Sequence, residues 1–456
     1  MRRVVKVSRI RIIITIIVVV LTTLLTGCTG KEPNEIAYVV ALGIDSTDDD
    51  NYKIIIQYAN TTQISGGASE SGGKAGSEIV DNVTIEAPNI YAGVGLANNI
   101  VSKSFSMSHA KLIVFSKEIA EKGVKDMIET LVRSEEIRPD VFIAVANTTA
   151  NDYLTSVNPE MEVNPAQYYQ LIYQKNQLVG IPDGQLREFF TGLYTDNYDS
   201  ILPIAGVIEG SGGNSQNDDK GQSKDSQNEG SEGSSESLDS FESKSSNEKD
   251  ENEKEKDAEK NTSKYEYDIK NYIGGETTIE KKNKAEAIGA AVFEKDKMVG
   301  ELGEVETEIC KMLKGDYTYS YLTYYNNDTP DIPITVKTTQ QKKPKYKIDT
   351  DKKTVDIELY IESDLYSLPA DYNVENKIED FERDVANYTS SACTEFINNF
   401  TKKYNSDILK LNEKVKYKFL TNNQYNWFKK NVGWSEYKFS VCTNFKVRRT
   451  GLIVRE

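Results

Sequence analysis

One stretch decides what this chain can fold into. From about Gly210 to Ser263 it reads GSGGNSQNDDKGQSKDSQNEGSEGSSESLDSFESKSSNEKDENEKEKDAEKNTS, nearly devoid of apolar residues. Residues 211–263 carry 15 acidic side chains against seven lysines, a net of −8 and half of the chain's formal −16. Such a segment cannot bury enough apolar surface to offset the entropy lost on ordering, so it is expected to be a disordered linker or insertion. The 456 residues are thereby divided into two foldable blocks. The expected organisation is a leader over 1–27, an N-terminal region over 28–209, a disordered insert over 210–264 and a C-terminal region over 265–456.

The leader is read from its charge and its length. Arg2, Arg3, Lys6, Arg9 and Arg11 precede the apolar run Ile12 to Leu25, and small residues follow. That order describes an export signal, and the run falls short of the roughly 20 residues of a stable bilayer span. Leu25, Thr26 and Gly27 before Cys28 resemble a bacterial lipobox, so Cys28 is the expected lipidation site. A diacylglyceryl group there would tether the mature chain outside the cytoplasm, because two acyl chains hold firmly where one does not. Removing residues 1–27 deletes five basic residues and leaves 50 against 71 acidic, or −21. A chain so acidic lacks the clustered positive field that nucleic acid requires.

The N-terminal block alternates strand and helix signals. EIAYVVALGID and YKIIIQYAN read as a hairpin around a polar turn, and IVDNVTIEA as a third strand. Ile90, Val94, Ala97 and Val101 recur at helical spacing after Pro88, which can stand in a first turn. HAKLIVFS is a strand. KEIAEKGVKDMIETLVRS reads as one amphipathic helix with Ile119, Val124, Ile128, Leu131 and Val132 inward. DVFIAVAN and ILPIAGVIEG are further strands, separated by helices around Pro165 to Gln174 and Asp183 to Tyr194.

After the insert, AEAIGAAVFEKDKMVGEL predicts two strands about a tight turn, followed by a helix through GEVETEICKML. In TVDIELYIES, Val355, Ile357, Leu359 and Ile361 alternate as a half-buried strand. Ile378, Phe381, Val385, Tyr388, Ala392, Phe396 and Phe400 mark one stripe of a long helix, and SEYKFSVCTNFKVRRTGLI ends the chain as a strand. The expected class is α+β (mixed α/β) and multidomain, its C-terminal sheet covered by the long helix.

Reactive residues are sparse. His109 is the chain's only histidine, which excludes a two-histidine zinc motif, and no G-x-S-x-G elbow accompanies it. Its expected role is structural or interfacial. No cofactor or metal is expected, since no glycine fingerprint or ligand spacing is complete. Besides Cys28 the cysteines are Cys310, Cys393 and Cys442; buried thiols or a single Cys393–Cys442 bridge both fit. Trp427 and Trp434 flank FKKNVG and are either core residues or exposed anchors for a partner.

Ordered segments supply a resemblance. The lipobox, NEIAYVVALGID, SFSMSHAKLIVFSKEIAEKGV (His109, Lys111, Ala120) and LVRSEEIRPDVFIAVAN (Arg133, Glu136, Arg138) come first. LREFFTGLYTDNYDSILPIAGV, AIGAAVFEKDKMVGEL and the terminal RRTGLI follow. Together they resemble the Ger(x)C family, the lipoprotein C subunits of spore germinant receptors. The resemblance implies a noncatalytic subunit acting with membrane A and B subunits at the outer face of the inner spore membrane. It places nutrient sensing on the B subunit and carries over one residue role, lipidation at Cys28. The insert is longer than the family leads one to expect, which leaves the relative placement of the two blocks open. A solute-binding lipoprotein is the alternative, and it calls for a two-lobed fold with a ligand cleft.

Overall fold

β1 (Ile36–Ser46) and β2 (Tyr52–Ala59) form the expected hairpin, and β3 (Val80–Ala87) adds to β2. The structure, a computed structural model, describes residues 13–17, 35–49, 51–59, 80–159, 162, 164–174, 180–195, 197–208, 271–277, 283–326, 329–367, 377–404 and 406–450. The expected insert, the lipobox and Cys28 lie outside the described residues. Helix α1 (Ile90–Ile100) follows β3, and Asn89 rather than Pro88 caps it, its side chain accepting from Ala92 N at 2.9 Å. A short strand β4 (Ser104–Ser106) then runs beside the start of β1.

β5 (Leu112–Ser116), β6 (Phe142–Ala146) and β7 (Ile201–Val207) extend the sheet in parallel from β1. Every residue of β5 and β6 is buried, as unbroken apolar strands require when helices cover both faces. On one face Ile113, Phe115, Ile143 and Val145 meet α1 and the helices α2 (Lys117–Lys122) and α3 (Lys125–Val132). On the other, Leu112, Val114, Ala144 and Ala146 meet α4 (Ala150–Ser156) and α5 (Pro165–Gln174). Helix α6 (Leu186–Thr195) adds Leu186 and Phe189 to the first face.

One expectation fails here. The helix predicted from Lys117 to Ser134 is two helices, broken at Gly123, whose φ is +123°. A Cβ at Gly123 would stand 2.7 Å from Asp296 Oδ2, and Val124 N donates to Asp296 O at 3.0 Å. The turn at Lys295 and Asp296 docks where a straight helix would continue. The second helix is rotated in consequence, so that Met127 is buried and Val132 is 40% exposed.

The first sheet does not stop at the insert. β8 (Ala285–Glu294) pairs antiparallel with β7, Val207 facing Ala285, and β9 (Lys297–Leu302) completes nine strands. The chain therefore leaves and re-enters the sheet at neighbouring positions of a single ladder. Such a connection tolerates length, because loop-closure entropy grows only logarithmically. The described residues on the two sides of the insert form one compact unit, joined through the β7–β8 ladder.

Helix α7 (Glu304–Lys314) leads into the second sheet: β10 (Tyr319–Asn326), β11 (Thr329–Gln340), β12 (Lys345–Asp349), β13 (Thr354–Ser367) and β14 (Lys438–Arg449). Val355, Ile357, Leu359 and Ile361 are buried as their alternation predicts. Helix α8 (Ile378–Tyr404) lies over that face, with Cys393, Phe396, Ile397 and Phe400 in the shared core. Its polar residues at four-residue spacing run along β14. Asn398 Oδ1 accepts from Phe439 N at 3.1 Å, Thr394 Oγ1 from Val441 N at 3.0 Å, and Ser390 Oγ from Thr443 N at 2.9 Å. Glu382 Oε1 accepts from Val447 N at 2.8 Å. Four helix residues rise about 6 Å and two strand residues about 6.6 Å, so the two repeats stay in step. The helix thereby covers an edge that would otherwise present unpaired amides.

Candidate functional site

None of the expected site residues Leu25, Thr26, Gly27 and Cys28 lies among the described residues, so the site is built from the rest of the chain. His109 is exposed beside β5, its Nδ1 3.0 Å from Ser108 Oγ and its ring edge-on to Tyr38 at 4.8 Å. Among the described residues no carboxylate bonds its ring. The segments quoted around it do converge, since Glu136 Oε2 accepts from Met107 N at 2.7 Å. No group of three or more metal-ligating side chains occurs among the described residues.

The two tryptophans part company. Trp434 is buried, its Nε1 donating to Asn412 Oδ1 at 3.2 Å, whereas Trp427 on helix 422–431 is 65% exposed. The cysteines Cys310 and Cys393 are buried, Cys442 is exposed, and all three are free. Burial pushes the thiols of Cys310 and Cys393 up to about 11 and about 12.

A cleft of about 710 Å³ lies along the seam between the two sheets. The segment 181–202 supplies Asp183, Glu188 and Tyr198, while the C-terminal block supplies Lys311, Lys314, Asp316 and Lys410. Lys410 Nζ lies 3.3 Å from Glu188 Oε2 and 4.1 Å from the centre of the Tyr198 ring. Lys311, almost wholly buried at the end of α7, donates to Ile181 O at 3.0 Å, and desolvation lowers its ammonium pKa. Burial also raises the Asp183 carboxyl against the pull of Lys314. One turn along α7, Glu308 is pushed up to about 7 by burial, with Ser320 Oγ donating to it at 2.6 Å.

Asp199, on the wall of the cleft, is bound reciprocally to Asp407. Asp199 N donates to Asp407 O at 3.1 Å, and Asp407 N donates to Asp199 Oδ2 at 2.9 Å. The other oxygen of Asp199 accepts from Lys295 N at 3.1 Å, tying the β8–β9 turn to the same point. The Asp407 carboxylate caps helix α9 (Leu411–Val415) through Leu411 N and Asn412 N at 2.7 and 2.8 Å. A seam of paired charges like this can hold two layers together and can accommodate a small polar molecule of mixed charge. It presents no nucleophile paired with an oriented base. Composition alone could not have found it, because its members are 227 positions apart from Asp183 to Lys410.

Two family models match this chain. Residues 30–207 match the spore germination protein N-terminal domain, and residues 288–451 match the spore germination B3/GerAC-like C-terminal domain. The chain belongs to the Ger(x)C family. Among its relatives, spore germination protein KC of Bacillus subtilis (strain 168) is 26% identical over 174 residues, 35% of this chain and 42% of KC. Spore germination protein B3 of the same organism is 25% identical over 148 residues, 30% of this chain and 36% of B3. The matched stretches thus span less than half of the relatives' own length. The crystal structure of the GerBC protein aligns over 89% of this chain and 96% of that chain, at 14% identity and a TM-score of 0.47. Both Ger(x)C models meet the chain outside the insert, on the two sides of the β7–β8 ladder.

Proposed function

We propose that the chain is the C subunit of a nutrient germinant receptor. In this reading it is lipid-anchored at Cys28 to the outer face of the inner spore membrane and acts noncatalytically with integral membrane A and B subunits. The observation that carries the reading is the pair of family models flanking the insert. The test is dipicolinate release from nutrient-treated spores lacking the gene. Loss of the response to particular nutrients, with germination by non-nutrient triggers intact, is the expected result. A normal response to every nutrient in a strain stripped of sister receptors would sink it. The anchor has its own test, because Cys28→Ala should leave the membrane fraction.

The seam cleft favours a second reading, an extracytoplasmic solute-binding lipoprotein, since its volume falls within the range of small-molecule sites. Calorimetry of the purified protein against amino acids and sugars separates the two. Micromolar binding that is lost in Glu188→Gln would support solute capture, and no heat with any nutrient would leave the receptor reading alone.

A further inference from the structure

The segment 410–431 runs against the character of the whole chain. It holds six lysines and one glutamate, a net of +5 in a protein of net −16. Within it Tyr417 is 80% exposed, Leu420 94% and Trp427 65%. These are not the exposed remains of a frayed end. Phe419 packs 5.8 Å from Tyr425 and 5.0 Å from Phe428, and Phe428 lies 5.8 Å from the buried Trp434. Thr421 and Gln424 form a capping box that fixes the start of helix 422–431. A residue in the place of Leu420 usually folds back as a staple on the fourth helical position, here Tyr425. Phe419 takes that contact instead, and Leu420 is left pointing into solvent.

We propose that this lysine-rich turn and helix seat on an anionic lipid surface, with Leu420, Tyr417 and Trp427 entering the headgroup layer. Lys416 and Lys430 are exposed around the apolar tip, while the Lys418 ammonium donates to Ile348 O. On adjoining elements Asp349 and Glu436 pair with Lys352 and Lys353. Tryptophan, tyrosine and leucine beside lysine are the residues that settle at a membrane interface, and lysine near an anionic leaflet gains favourable electrostatics. A protein partner would favour anchors set within a surrounding rim; a leucine 94% exposed has none. The chain as a whole is too acidic to lie on such a surface, so this patch would set its orientation.

The proposal rests on the tether at Cys28 only for nearness to the membrane. The full chain has two tryptophans, and one of them is buried, so fluorescence reads the patch directly. The full chain is incorporated into phosphatidylcholine vesicles with about 30% phosphatidylglycerol carrying brominated acyl chains. Trp427 emission should shift to the blue and fall about twofold, as expected of an indole at the interface. Trp427→Phe should abolish the quenchable component. Leu420→Asp and Lys416→Glu/Lys430→Glu, all at exposed positions, should diminish it with circular dichroism unchanged. Unquenched Trp427 in vesicles that retain the protein overturns the proposal, as does equal quenching in phosphatidylcholine alone. Shielding of Trp427 only when membrane proteins are added would make the occupant a protein and overturn it likewise. Failure of the tether would appear separately, as membrane retention unchanged by Cys28→Ala.

Discussion

Asn398, in the interior of a helix, pairs with Phe439 as a neighbouring strand would: its Nδ2 donates to Phe439 O at 3.0 Å and its Oδ1 accepts from Phe439 N at 3.1 Å. Thr394, Ser390 and Glu382 repeat the accepting half of that bond along β14. Asparagine, serine and threonine are indifferent helix formers. Their place on α8 is explained by the strand edge they satisfy.

Asn398→Ala should therefore cost about 2–3 kcal/mol, because it strips two backbone groups of their partner. Thr394→Val, near in shape, should cost about 1–2 kcal/mol for one amide. Urea midpoints measure both. Losses no larger than those of an alanine placed on the exposed side of the helix would disprove the edge-sealing role. Self-association at high concentration should accompany the larger loss, since an open edge recruits another.

The Asp407 carboxyl is pushed up to about 7, chiefly by burial and further by Asp199, against its two amide bonds and Lys414. The folded protein thus holds this proton more tightly than the unfolded chain, whose aspartates titrate near 4. Stability contributed here is full below about pH 4 and falls as pH rises through about 7, by up to about 4 kcal/mol. Asp407→Asn should flatten the decline of Tm between pH 5 and 8. The part that remains should shrink again in Glu308→Gln, where burial acts with the same sign. A variant whose Tm profile runs parallel to the parent would refute the assignment.

Gly206 sits where β7 meets the backbone of the returning chain. A Cβ there would stand 2.1 Å from the carbonyl carbon of Gly274 and 2.2 Å from Gly275 N. Backbone cannot swing aside as a side-chain tip can, so Gly206→Ala should destabilise by about 2–4 kcal/mol. The control is Gly95→Ala, whose Cβ meets nothing within 4 Å. Equal melting of the two variants would contradict the close approach.

Thiol chemistry distinguishes the two faces of the second sheet. Cys442 on the outer face should react with a maleimide in the native protein. Cys310 and Cys393, buried and with raised thiol pKa, should react only on unfolding. Peptide mapping after brief labelling reads this. Protection of Cys442, or a Cys393–Cys442 bridge after oxidation of the folded protein, would show that the sheet does not separate them.

Much of the fold was legible because it is written in local periodicity. β1, β2, β5, β6 and β13 are bounded apolar or alternating runs, and the stripe of α8 marks its length within a few residues. What escaped has identifiable causes. The break at Gly123 depends on Asp296, 173 positions away, so the apolar spacing across it read as a single helix. Helix α4 is only seven residues long, too short for its period to stand out. Strands β10 and β11 pair tyrosines and threonines of the sequence YTYSYLTYYN with ITVKTTQQ, where apolar alternation is weak. The seam was invisible because Asp183, Glu188, Lys311 and Lys410 are ordinary surface residue types until the fold brings them to one cleft, where only Lys311 is buried.

The sequence by itself determined the elements that bury apolar faces and the family membership that its ordered motifs announce. Those follow from periodicity and composition, which are properties of neighbouring residues. Only the tertiary structure decided that β7 and β8 close one ladder across the insert, that a helix seals β14 with side chains, and that Trp434 is core while Trp427 faces solvent. Each of these depends on which distant groups arrive at the same point. The cost of an unmet amide or a misplaced Cβ is set there, and not along the chain.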